Sequence, residues 1–200
     1  MAMLDAVAPK GTDLLMKAKA YLRENCGFTK RRDVEFVFVE EDDAMHIVSS
    51  MSKRTDNRRI CDARFRKYYG NSGNRWIGMF EDGRCLSLAV LIKYPKNDLV
   101  NDIILLAEFQ SFVKGCGKPL LEVILAHYPN IWWMVDPDGG NRLLSYYRQF
   151  KGMSESIFDS AGGNDNSQVV FYRVFGGPRR KLLLSLLQQK DSLRFQRKRP

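Results

Sequence analysis

Between Asp102 and Phe150 the chain spells out strand, glycine turn, helix, strand and a second glycine-started helix in one unbroken run. Asp102 to Phe109 is an apolar stretch with β-branched residues, the pattern of a largely buried strand. Lys114-Gly115-Cys116-Gly117-Lys118 breaks it, and Pro119 follows where a helix tolerates proline, in the first turn. Leu120, Leu121, Ile124 and Leu125 recur at helical spacing and form one apolar stripe. Ile131 to Val135 predicts the next strand, and Pro137-Asp138-Gly139-Gly140-Asn141 turns the chain into the second helix. Trp132 and Trp133 alternate across that strand, so one should pack inward and the other beneath a helix.

The glycine turn suits an anion. Two glycines let the backbone approach a ligand closely, and a helix start aims its N–H groups along the positive end of the dipole. A diphosphate fits such a cradle. The six-residue glycine fingerprint of dinucleotide folds is absent, and Pro119 rather than Ser or Thr follows Lys118, which excludes a P-loop. A plain strand-to-helix turn would also account for the two glycines.

Upstream, Thr12 is a candidate N-cap for a helix reaching Gly27, with Leu14, Leu15, Ala18 and Leu22 as its stripe. Asp33 to Glu40 alternates as a strand, with Val34, Phe36 and Phe38 on one face. Glu40 to Asp43 then opens a helix through His46, Ile47 and Met51, where carboxylates suit the N-terminus. Another helix is predicted from Asn57 to Tyr69. Its Arg58, Arg59, Arg64, Arg66 and Lys67 read as a solvated face. Trp76–Phe80 and Cys85–Tyr94 are strands joined at Asp82-Gly83, a strong hairpin signal. Downstream, Ser154–Asp159 and Gln168–Phe175 bracket a Gly/Asn loop and read as a long hairpin.

Composition narrows the classes. The 200 residues, 44% hydrophobic, allow one domain with a sizeable core. No stretch approaches the roughly 20 apolar residues of a membrane span, and MAMLDAVAPKGTD has no apolar core of signal-peptide length. Cys26, Cys61, Cys85 and Cys116 lie far apart and there are two histidines, so no metal site or disulfide framework is expected. A cytoplasmic protein with reduced thiols follows. The net charge is +9, of which the segment from Gly177 contributes +7, with eight Lys/Arg against one Asp. A hinge at Gly176-Gly177-Pro178 and a leucine-rich helix with a basic end therefore read as an appendage to residues 1–176, docked on the body or offered to an acidic partner.

The run from Asp102 resembles the core of the Gcn5-related N-acetyltransferase (GNAT) superfamily. That family places a Q/R-x-x-G-x-G/A loop between its fourth strand and the next helix. Phe112-Val113-Lys114-Gly115-Cys116-Gly117 matches its glycines, with Phe112 at the Gln/Arg position. Asn141, Leu144, Tyr146, Tyr147 and Gly152-Met153 resemble the pattern of its later helix, with Tyr147 one place early. The resemblance covers roughly residues 33–175. It implies an α+β fold of layered α/β/α type, in which a mixed, mostly antiparallel sheet of about seven strands is flanked by helices. The helix at 12–27 and the basic C-terminal helix are additions. It further implies acetyl-CoA as acyl donor, held by Phe109, Gln110, Phe112, Val113, Lys114, Gly115, Cys116, Gly117, Lys118 and Asn141.

Transfer to an amine needs a base for the ammonium and an acid for the departing thiolate. Glu108 is the candidate base, as the one acid within the apolar strand; it reads equally as a carboxylate bonded to a nearby Arg or to backbone. Tyr147, then Tyr146, are the candidate acids, with core packing as the other reading. Asn141 contacts the cofactor or caps the helix, and Cys116 is a small loop residue rather than a nucleophile. The expected function is acetyl transfer to an amine on a macromolecule, an acidic protein or RNA. A catalytically silent GNAT-fold assembly protein, or a toxin-like acetyltransferase of aminoacyl-tRNA, are the alternatives. The sequence leaves the oligomeric state open, a dimer included.

Overall fold

A computed structural model describes residues 34–52, 62–93, 103–135, 141–158 and 168–196. The predicted helix at 12–27, the loop at 161–166 and the last basic residues lie outside them. The elements are β1 (Val34–Val39), α1 (Glu41–Ser52), α2 (Asp62–Arg66), β2 (Asn74–Glu81), β3 (Arg84–Lys93), β4 (Ile104–Ser111) and α3 (Gly117–His127). They continue with β5 (Ile131–Val135), α4 (Asn141–Arg148), β6 (Ser154–Phe158), β7 (Gln168–Arg173) and α5 (Gly177–Gln196). One seven-stranded mixed sheet carries them in the order β1-β2-β3-β4-β5-β7-β6, with helices flanking it as expected.

The chain forms two compact units, and β4 passes from one to the other between Leu105 and Leu106. The first holds the antiparallel meander of β1, β2 and β3. Asp82 (φ 49) and Gly83 (φ 72) close the β2–β3 hairpin, both in the left-handed region that a two-residue turn of matching twist requires. Helix α1 starts with Glu41, Asp42 and Asp43 and buries Ala44, Met45 and Val48. These pack with Phe65, Trp76, Cys85, Leu88 and Val90 in one cluster.

Two expectations need correction. Of the β1 residues expected to share one apolar face, Val34 is buried but Phe38 is 51% exposed. As the edge strand, paired through β2 alone, β1 need not bury its whole apolar face; Phe38 instead meets the His127 ring edge-on. The helix predicted to Tyr69 ends at Arg66, and its start at Asn57 lies outside the described residues. Tyr68 and Tyr69 donate to the carbonyls three residues back, at Phe65 and Arg66, and Gly70 at φ 79 ends the turn.

In the second unit, β5 runs parallel to the start of β4, pairing Ile104 with Ile131 and Leu105 with Trp132, and antiparallel to β7. The expected long hairpin is present as β6 paired antiparallel with β7. Both tryptophans are core, on opposite faces. Trp132 packs with Ile103, Val170, Tyr172 and with Leu183 and Leu187 of α5. Trp133 lies against Tyr147 and Phe171. Leu183 and Leu187, one helical turn apart, fix α5 to this unit.

Burial pushes the Cys85 thiol up to about 12. The folded state therefore holds this proton through a range where the unfolded chain, near pH 9, gives it up. Its contribution is intact below about pH 9 and falls as pH rises toward 12, by up to about 4 kcal/mol. Urea melts at pH 8 and pH 11 should show a larger alkaline loss for the wild type than for Cys85→Ala, and equal losses would contradict this.

Candidate functional site

The glycine loop is built where β4 leaves the sheet. Phe112 and Val113 both donate their N–H groups to the Leu86 carbonyl of β3, at 2.9 and 3.3 Å. The Phe112 side chain packs against the cluster around Val48 and Trp76. The position that carries Gln or Arg in the resembling pattern is thus spent on core packing here. Gly115 takes φ 85, a conformation that costs any residue with a Cβ about 1–2 kcal/mol. The Cys116 N–H then donates to the Val113 carbonyl at 3.1 Å, closing the turn.

Helix α3 starts immediately. Its N-cap residue Cys116 makes no side-chain capping bond, and Pro119 in the first turn has no N–H to satisfy. Among the described residues, no backbone bond outside the helices and strands occupies the Gly115 N–H. Cys116 is fully buried, and its carbonyl accepts a hydrogen bond from the buried Ser87 hydroxyl at 3.1 Å. Ser87 went unnoticed in the sequence because nothing local marks it as a partner of residue 116. Lys114 is exposed at the rim and Lys118 half-buried, while Gln110 turns its amide onto the Ser111 carbonyl at 2.9 Å. Phe109 is half-buried.

Glu108 sits on the buried face of β4 that it shares with Ile104 and Leu106, and is 6% exposed. Its Oε1 lies 2.6 Å from Nη2 of Arg64, and its Oε2 accepts from Arg64 Nε at 3.2 Å. The Phe109 N–H also reaches Oε1, at 3.3 Å. Four residues after Arg64, the Tyr68 hydroxyl donates to the Ala107 carbonyl at 2.9 Å. The α2 turn is thereby stitched to two consecutive residues of β4. The sequence offered Arg64 only as one of several basic residues, and Tyr68 not at all.

The tyrosines belong to the second unit. Tyr147 is buried, its ring 5.3 Å from Trp133 and 5.6 Å from Phe171. Tyr146 is half-buried and meets the rings of Tyr147 and Phe150 edge-on. Asn141 opens α4, and its side chain is outside the described residues. At the far end of that helix, Arg148 grips Glu155 of β6 through two bonds of 2.8 and 3.0 Å, which hold the Glu155 carboxyl below its usual range.

No protein-family model matches this sequence, and no curated protein does. Solved structures do. The ribosomal-protein-S18-alanine N-acetyltransferase of Escherichia coli superposes with a TM-score of 0.51 at 14% identity, covering 72% of this chain and 97% of that one. A protein assigned to the GNAT family from Desulfovibrio desulfuricans gives 0.51 at 12% identity, with 70% and 98% covered. A third, from Chromobacterium violaceum and assigned to the same family, gives 0.51 at 8% identity, with 70% and 87% covered.

Proposed function

On the fold of the Gcn5-related N-acetyltransferases, we propose that this chain transfers an acetyl group from acetyl-CoA to a primary amine. The observation that carries this reading is the loop at Gly115–Gly117. A left-handed glycine and a helix start without a side-chain cap support a seat for a diphosphate here. When bound there, acetyl-CoA supplies an activated acyl group as a thioester. Glu108 accepts the proton of the incoming ammonium at a carboxylate oxygen, freeing the nitrogen lone pair for attack. For the proton that the leaving sulfur takes, Tyr147 and Tyr146, both carried by the second unit, remain the candidate phenols. The acceptor is a macromolecular amine. The net charge of +9 favours an acidic protein or RNA over a polyamine, and the Escherichia coli neighbour shows by its name that the fold can serve a protein amine.

Calorimetric titration with acetyl-CoA, with CoA alongside, tests the reading. Micromolar binding supports it, and absence of binding removes it. Gly115→Val should weaken binding about tenfold or more, because a β-branched residue cannot hold φ 85 without moving the loop. Unchanged affinity would remove the loop from the site.

One observation favours the second reading, a catalytically silent GNAT-fold assembly protein: Glu108 is already held by Arg64 on both oxygens. Acetyl-CoA binding without transfer to any amine would support it.

A further inference from the structure

The Arg64–Glu108 pair constrains what the acceptor can be. Glu108 is the buried partner, its side chain 5% exposed, whereas that of Arg64 is 52% exposed. Both carboxylate oxygens are engaged, one of them twice. Three of the roughly four acceptor positions of the carboxylate are thereby taken, and with the side chain 5% exposed an ammonium reaches it by displacing, or squeezing beside, the half-exposed guanidinium. Arg64 faces Glu108 with Nε and Nη2, and among the described residues nothing pairs with its Nη1 edge. Arg66 and Lys67, both exposed, add positive charge on the same short turn.

A simple cationic amine meets repulsion at this entrance. An amine that brings its own carboxylate does not. The planar fork of a guanidinium matches a carboxylate through two parallel bonds, so such an acceptor offers Arg64 an equivalent partner on the solvent side. The guanidinium turns outward to it, and the amine nitrogen takes its place beside Glu108. The proton then moves from nitrogen to a Glu108 oxygen, and no other group changes oxidation or charge.

We propose that Arg64 is the specificity-determining residue, and that the acceptor is a primary amine with a carboxylate a few bonds from its nitrogen. This rests on the acetyltransferase reading above. The chemistry has two sources: an acidic residue at a protein N-terminus, which keeps the macromolecular acceptor named above, or a free amino acid, which would replace that acceptor while keeping the transfer.

Release of free thiol from acetyl-CoA would be followed with matched acceptors. These are peptides beginning with Asp or Glu against Asn or Gln, and free glutamate against its amides. Wild-type protein should favour the acid by about tenfold to hundredfold in kcat/KM, carried by KM, as expected of one charge-assisted contact. Preference confined to the peptides, or to the free amino acids, identifies the source. Arg64→Gln should bring the ratio near one, and Arg64→Lys should restore it only in part, because an ammonium lacks the fork. Arg64→Gln leaves Glu108 buried without its partner and can unfold the chain; the wild-type ratio needs no variant.

Equal rates on acid and amide, or no transfer to either set while acetyl-CoA binds normally, would overturn the assignment alone. So would an Arg64→Gln protein with raised kcat on all amines alike, since Arg64 would then merely cap the base. Failure to bind acetyl-CoA would instead remove the reading beneath it, and this proposal with it.

Discussion

Glu108→Gln should slow acetyl transfer by about 10²- to 10⁴-fold, the usual share of a positioned base, while acetyl-CoA affinity stays unchanged. The amide keeps the shape of the side chain and an oxygen for Arg64, but cannot take a proton. Folding should survive, because the cation left behind is half in water. The separation of the two readouts is the point. From Phe112 onward the loop amides bond to Leu86 and Val113, and the one donor-holding candidate that touches Glu108, Phe109 through its N–H at 3.3 Å, finds an oxygen in the amide as well. Turnover by single-mixing kinetics and affinity by calorimetry should therefore move independently. Equal rates in the variant would reduce the ion pair to a structural contact and leave the base unassigned.

Leu183→Ala should cost about 2–5 kcal/mol in urea-induced unfolding, as expected for a large side chain removed from a packed site. Leu183 is fully buried against Trp132, Val170 and Tyr172, and Leu187 repeats the contact one turn later. The C-terminal helix is thereby part of the second unit's core, with Arg179, Arg180 and Lys181 on its exposed side. Removing the helix should expose Trp132 and raise the fluorescence response to quenchers. A loss below about 0.5 kcal/mol, the scale of a surface substitution, would mean that the leucines are not buried in solution.

These cases mark what the sequence made legible. The glycine loop announced itself because every signal in it is local: two glycines, a proline in the first turn and a stripe at helical spacing. The Asp82-Gly83 hairpin was readable for the same reason, as was the order of strands around α3. The Arg64–Glu108 pair joins residues 44 apart in sequence, and no spacing rule could select Arg64 from its basic neighbours. The exposure of Phe38 depends on β1 lying at the edge of the sheet, a property of strand order rather than of the strand. The basic C-terminal run drew attention to charge, while its position is fixed by two leucines whose partners lie on β5 and on the preceding strand β7. Phe112 is the opposite case. It stood out as a departure from a pattern, and the packing beneath it supplies the reason.

The internal bonding of the glycine loop bears on the time course of recognition. Three of its amides and the Ser87 hydroxyl are committed before any ligand arrives, so no segment there must be ordered during encounter. For the donor seat proposed above, this preorganisation spares part of the entropic penalty of association. Competing nucleotides would then reach the loop at similar speeds and be sorted by residence time. Discrimination at this seat becomes a matter of how long a molecule stays.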